Sequence, residues 1–167
     1  MGASARVLIA QEIHPAGIDF LREKGYEVVV PAGPSREDLA RALAGCDAVL
    51  SATVMIDREL LSAAPRLKVV AKHGVGWDNV VDAAAAERMG IRVVNTPCAN
   101  FVSVAEHTIG MIVSAARQFS WMGKLAREGV FDVGPLGFRF ELAGKTLGII
   151  GLGRIGTPVA MGAKVFG

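Results

Sequence analysis

Gly151, Gly153 and Gly156 form a G-x-G-x-x-G run. The apolar stretch Thr146–Ile150 precedes the run and an amphipathic stretch, Arg154–Phe166, follows, so it lies where a strand turns into a helix. Such a turn suits a pyrophosphate. The first glycine permits the tight bend, the second lets backbone approach the ligand, and the third lets helix and strand pack closely. Unpaired N–H groups at the helix start then face the phosphate charge. A tight turn with no ligand would account for the same glycines; the flanking strand and helix favour the binding reading. The acidic residue that would read a ribose hydroxyl is expected about 20 residues further on, beyond Gly167. A dinucleotide is the expected cofactor, and this chemistry does not tell NAD from NADP.

A second candidate is the run His73, Gly74, Val75 and Gly76, which follows the apolar stretch Lys68–Ala71. A glycine-flanked turn after a parallel strand leaves N–H groups unpaired, a sound place for an anion. The glycines alone would also make a simple turn. Lys72 and His73 could add positive charge for an acidic substrate, although a solvated lysine is the commoner case. The sequence has three histidines, and none forms a recognisable pair with a carboxylate for proton transfer. His14 sits at a helix start, His107 follows Glu106 but adjacent helical residues point apart, and His73 has no acid beside it. No catalytic residue is assigned. Cys46 and Cys98 give no metal-ligand spacing, so no metal site is expected.

The elements that must hold these turns alternate. Arg6–Ala10, Tyr26–Val30, Asp47–Leu50, Lys68–Ala71 and Ile91–Val94 read as strands. Ile13–Lys24, a segment from Ser35 to about Ala44, Arg58–Ala63 and Val81–Met89 read as helices. Ser35 with Asp38 resembles a capping box, Asp57 can cap the third helix, and Gly25 and Gly90 close two others. The strands are continuous apolar runs, the mark of a parallel sheet covered on both faces. Pro97 is a natural hinge, placing one domain at 1–98 and a second, incomplete one at 99–167. In the second, Val104, Thr108, Met111, Ile112, Ala115 and Phe119 fall at helical spacing. Ile109 and Val113 widen the stripe enough to predict burial on more than one side. Ser103 and Glu106 have the spacing to start that helix. Phe119 to Phe140 shows no strong period. Pro158 is irregular for a helix beginning near Gly153, since proline lacks the N–H.

Composition bounds the function. Of 167 residues, 51% are apolar and 20% charged, with a net charge of +2. That charge is too small, and its lysines and arginines too scattered, for a nucleic-acid partner. No apolar run reaches membrane-spanning length and no signal-peptide pattern leads the chain. Two lone cysteines fit a reducing compartment, so a cytoplasmic location is expected.

Three stretches resemble the D-isomer specific 2-hydroxyacid dehydrogenase family, above all its phosphoglycerate dehydrogenase branch. They are Lys72-His-Gly-Val-Gly-Trp-Asp-Asn-Val-Val-Asp82, Val94-Asn-Thr-Pro-Cys-Ala-Asn-Phe-Val-Ser-Val-Ala-Glu-His107 and Leu142-Ala-Gly-Lys-Thr-Leu-Gly-Ile-Ile-Gly-Leu-Gly-Arg-Ile-Gly156. The resemblance implies an α/β fold: a flavodoxin-like parallel-sheet substrate domain, followed by the first strand-helix unit of a Rossmann dinucleotide-binding domain. It implies NAD-dependent hydride transfer at the 2-hydroxy carbon of a small acid. The substrate carboxylate is expected on the backbone N–H groups of His73, Gly74, Val75 and Gly76, with Val75 also near the nicotinamide. Arg154 and Ile155 are expected at the pyrophosphate, and Thr108 near the cofactor. The Phe119–Phe140 segment resembles the family's dimer arm, with an exposed loop an equal alternative. Thr146–Ile150 is an apolar strand whose usual partners come later in such a domain, so its edge is a template for another chain and a homo-oligomer through residues after Pro97 is expected. Where the phosphoglycerate branch carries an arginine ahead of Ser51-Ala-Thr53, this chain has Leu50, which puts a phosphorylated substrate in doubt. The family's catalytic arginine, its carboxylate partner and its acid-base histidine correspond to positions beyond Gly167. The chain alone is therefore expected to be inactive, and a non-enzymatic cofactor-sensing or heterodimerising relative is the alternative.

Overall fold

The computed structural model describes residues 4–131 and 139–167. The chain divides into two compact units, Met1–Ala99 and Asn100–Gly167. In the first, strands β1 (Arg6–Ile9), β2 (Glu27–Val29), β3 (Ala48–Ser51), β4 (Val69–Lys72) and β5 (Arg92–Val94) alternate with helices α1 (Pro15–Glu23), α2 (Arg36–Leu43), α3 (Arg58–Ser62) and α4 (Ala83–Arg88). The sheet order is β2-β1-β3-β4-β5 and every pairing is parallel. That is the flavodoxin-like order, whose direction of winding reverses between β1 and β3. The fold class is α/β, as the alternation implied.

Register follows the apolar runs. Leu8 lies opposite Val49, and Val49 opposite Val70; all three are fully buried. Helix residues Leu43, Leu60, Leu61, Ala85 and Ala86 close over the sheet as one cluster. Edge strands β2 and β5 are three residues each, short enough to offer little template to another chain.

The helix ends follow local chemistry. The hydroxyl oxygen of Ser35 accepts from the Asp38 amide at 3.1 Å, and Asp57 accepts from the Leu60 amide at 3.0 Å. Gly25 and Gly90 take positive φ of 83° and 71°, which a side chain disfavours. Helix α1 begins two residues later than its apolar pattern suggested, because Pro15 suits the first helical position. His14 caps that helix, its Nδ1 accepting from the Ala16 amide at 3.2 Å.

The second unit departs more from expectation. Helix α5 runs Phe101–Arg117, and the Val104 amide already donates to the Asn100 carbonyl at 2.9 Å. Ser103 and Glu106 therefore lie inside the helix instead of starting it. Only Ala105 and Ala116 are buried on α5 and Met111 is 59% exposed, so the predicted burial on several sides is not observed among the described residues. Gln118, at φ 55°, separates α5 from a further helix, α6 (Phe119–Arg127), where the sequence showed no strong period. The rest of the arm segment, 132–138, lies outside the described residues.

Thr146–Ile150 pairs with no strand among the described residues, and Ile150 is fully exposed. A strand needs a neighbour's donors and acceptors to exist as a ladder, so an apolar run alone leaves the segment extended and unpaired. Helix α7 spans Gly156–Ala163 and passes into a 3-10 turn at Lys164–Phe166. It starts later than Arg154, which puts Pro158 in its first turn, where a missing N–H costs little. No described helix is long and apolar enough to cross a membrane.

Two outcomes test this fold. Leu8→Ala should destabilise the first unit by about 2–5 kcal/mol, read as a shift in urea midpoint. Three carboxyls lie below the usual aspartate range: Asp47 through the Arg6 amide and then Arg66, Asp57 through the Leu60 amide and then Arg36, and Asp38 through Ser35 and then Arg41. Depressed folded values stabilise the native state above the unfolded pKa of about 3.9, and that stability is lost as pH falls through the folded values. Asp47→Asn should flatten the acid limb of a circular-dichroism stability profile; an unchanged limb would show that Asp47 does not contribute to it.

Candidate functional site

The loop leaving β4 carries the first predicted cluster. Its start is set by the sheet, because the His73 amide donates to the Ser51 carbonyl at 2.8 Å and continues the β3–β4 ladder by one residue. The Gly74 amide donates to Thr96 Oγ1 at 3.1 Å, while the Thr96 amide and hydroxyl donate back to the Gly74 carbonyl at 3.0 and 3.1 Å. Asn95 Nδ2 donates to the Val75 carbonyl. Two of the four N–H groups expected to receive a carboxylate are thus held by the protein. The amides of Val75 and Gly76 have no partner among the described residues, and Val75 is 41% exposed. The pair open to an anion is narrower than the sequence implied.

Gly74 sits at φ 142°, and a Cβ there would lie 3.1 Å from Lys72 Cε. Nothing lies within 4 Å of a Cβ on Gly76, so space in front of that residue is open. The Lys72 ammonium, for which solvent was the commoner expectation and a substrate the other, donates to the Ala52 carbonyl and straps the loop after β4 to the loop after β3.

In the second unit the three glycines of the turn differ in what they do. Gly151 has φ 91°, the left-handed bend that only glycine adopts readily. A Cβ on Gly156 would stand 2.1 Å from the Gly151 carbonyl oxygen, so only glycine lets α7 start against that turn. Gly153 has nothing within 4 Å of its Cβ position, which leaves its outer face clear for a ligand. The Ile155 and Gly156 amides have no partner among the described residues, and they open the helix that begins at Gly156. These features fit a pyrophosphate. Thr108 is different: its hydroxyl donates to the Val104 carbonyl at 2.7 Å within its own helix.

No His–carboxylate ion pair occurs among the described residues, and none of their His, Cys, Asp and Glu groups cluster as metal ligands. Cys46 is buried and Cys98 exposed; burial raises the Cys46 thiol pKa. Sequence reasoning missed Asn95 and Thr96, although short polar side chains directly after a strand are a signal for bonding to neighbouring backbone.

A family model described as D-isomer specific 2-hydroxyacid dehydrogenase, catalytic domain, matches residues 7–160. The chain is 41% identical over 160 residues to D-3-phosphoglycerate dehydrogenase of Archaeoglobus fulgidus, covering 95% of this chain but 30% of that enzyme. Its structure is similar to NAD-dependent formate dehydrogenase from Staphylococcus aureus in complex with NAD, with a TM-score of 0.83 at 33% identity, covering 97% of this chain and 54% of the other. It is also similar to NAD+-bound 3-phosphoglycerate dehydrogenase of Entamoeba histolytica, with a TM-score of 0.79 at 29% identity, covering 99% and 52%.

The geometry sets two variants apart. Thr96→Val should release the Gly74 amide to exchange at a cost of about 1 kcal/mol, leaving the β1–β4 amides protected. Gly156→Val should shift the amide signals of Gly151–Gly156 and leave the five-stranded sheet unmoved. Unchanged turn signals would mean that the close approach does not exist in solution.

Proposed function

This chain belongs to the D-isomer specific 2-hydroxyacid dehydrogenase family, and from that premise we propose that it carries the substrate-carboxylate loop and pyrophosphate turn of an NAD-dependent oxidoreductase of D-2-hydroxyacids. The reaction class is the reversible interconversion of a 2-hydroxyacid and a 2-oxoacid, for which NAD, when bound, accepts or returns the hydride. The observation that carries the reading is the pair of unpartnered amides at Val75 and Gly76, which stand beyond a ladder that fixes His73 and Gly74. Two successive free N–H donors can hold a carboxylate by charge-assisted hydrogen bonds. His73 and Gly74 act as the fixed base of that receptor, and Val75, whose side chain is exposed, faces the nicotinamide side. In the glycine turn, Gly151 and Gly156 shape the backbone, Gly153 clears the approach, and the amides about Arg154, Ile155 and Gly156 meet the pyrophosphate. Thr108 is placed near the cofactor by the family resemblance alone, its hydroxyl being engaged in its own helix.

The proton-transferring pair is not among the described residues, and we place the chain's own contribution in binding and orientation. The alternative reading is a cofactor-sensing or heterodimerising relative without turnover. We also propose a cytoplasmic location, and self-association through residues after Pro97. Ile150, Leu152 and Val165 are heavily exposed in that region, which also holds an apolar cavity of about 330 Å³ lined in part by Ile109, Leu147 and Phe166. An exposed apolar surface of that kind favours contact with a second copy.

Titration of the isotope-labelled chain with oxamate, a 2-oxoacid mimic, should move the Val75 and Gly76 amide signals saturably. Shifts confined to other residues would remove the basis of the reading. Purified chain should show no turnover of D-2-hydroxyacids with NAD or NADP and only weak NAD binding by calorimetry; tight binding that survives Gly153→Val would contradict the assignment of the turn. Light scattering should report a dimer or larger species, and a monomer would remove the self-association proposal.

A further inference from the structure

The loop after β3 turns three consecutive N–H groups onto one oxygen. Ala52, Thr53 and Val54 donate to Gln11 Oε1 at 3.1, 2.8 and 3.1 Å. Successive amides that converge in this way form a concave nest of the kind that holds anions. Here the oxygen seated in the nest belongs to a neutral side chain of the same protein. The loop's hydroxyls are engaged as well: Ser51 Oγ donates to the Val54 carbonyl at 2.6 Å, and Thr53 Oγ1 accepts from Gln11 Nε2 at 3.1 Å.

Nearby cations are no more available. The Lys72 ammonium donates to the Ala52 carbonyl. Arg36, in the lining of a cavity that also includes Val54, is held by Asp57 and Glu59 at 2.7 and 2.9 Å. The cavity beside Gln11, about 570 Å³, has aliphatic walls that include Ile9, Ile13, Val30 and Val54, and Glu12 is the sole charged residue among its lining. The lining of that cavity itself offers no cation to an entering anion, so desolvation on that side would go uncompensated.

This nest adjoins the carboxylate loop. Ser51 pairs with Lys72 across the β3–β4 ladder, so the two loops leave strands that are roughly 5 Å apart. On the functional reading above, the distal carbons of a small 2-hydroxyacid held at Val75 and Gly76 would extend toward that neighbouring loop.

We propose that Gln11 determines substrate specificity: by filling the Ala52–Val54 nest it excludes a second anionic group, and the substrate class is 2-hydroxyacids whose distal group is uncharged. The inference rests on the functional reading above, but its test does not. Isotope-labelled full chain is titrated with inorganic phosphate while the Ala52, Thr53 and Val54 amides are followed. In the native chain these signals should not move at phosphate concentrations that saturate Gln11→Ala, in which the nest is open and the same three signals move. Gln11→Glu should be as unresponsive as the native chain, because its carboxylate takes the same seat, and it should titrate below the ordinary glutamate range because three amides stabilise the charged form. Saturable phosphate shifts at these amides in the native chain would overturn the proposal. So would a folded Gln11→Ala, with β1 and β3 amides protected, that ignores phosphate. Should Gln11→Ala fail to fold, Gln11→Asn, whose amide is one methylene shorter, is read in the same way. Oxamate shifts at Val75 and Gly76 report on the functional reading separately, so failure of one is not failure of the other.

Discussion

Parallel pairing of β3 with β4 continues one hydrogen bond past the end of the sheet, from the His73 amide to the Ser51 carbonyl at 2.8 Å, and the site in the first unit depends on that bond. It stops the chain from leaving β4 freely and makes Gly74 the first residue able to turn. Gly74 is then held from the other side by Thr96, at the end of β5. With both flanks fixed, the next two amides are left without a partner among the described residues. An anion receptor made of backbone needs rigidity, because donors that must be ordered on binding lose affinity to entropy. The sheet supplies that rigidity through buried Val49 and Val70 at its centre.

The same logic runs through the loop after β3, with the opposite result. There the donors converge but are already satisfied, because Gln11 reaches across from the end of β1. Two neighbouring strand ends thus present one set of open amides and one set of closed ones. Under the proposed function, an asymmetry of that kind would distinguish the two ends of a small acid, since open amides favour a charged group and closed ones reject it. The glycine turn of the second unit is a further open set, shaped by the Gly151 bend and by a Gly156 contact that leaves no room for a Cβ.

Much of this was legible in the sequence, for reasons that differ by residue. Ser35, Asp57, Gly25 and Gly90 act within a few residues of themselves, so their roles as caps and closures could be read locally. The apolar strand runs gave the parallel sheet. Ser103 and Glu106 misled because a capping spacing recurs inside helices, and only the Asn100–Val104 bond shows where α5 begins. Thr146–Ile150 is apolar enough for a strand, yet a ladder is a property of two segments and not of one. Gly123 and the scattered aromatics concealed the period of α6. Gln11 gave no signal, since its partners lie 41 to 43 residues away and a lone glutamine after a strand has no distinctive spacing. His73 was expected to offer its amide to a ligand, and only the β3–β4 register shows that the ladder holds it.

The central claim is that the sheet holds His73 and Gly74 while leaving Val75 and Gly76 open. Amide-resolved hydrogen exchange on the ligand-free chain measures this directly. His73 should exchange as slowly as its neighbours in β4, Gly74 at an intermediate rate, and Val75 and Gly76 close to the rate of unstructured peptide. Slow exchange at Val75 and Gly76 without ligand, or fast exchange at His73, would contradict the account.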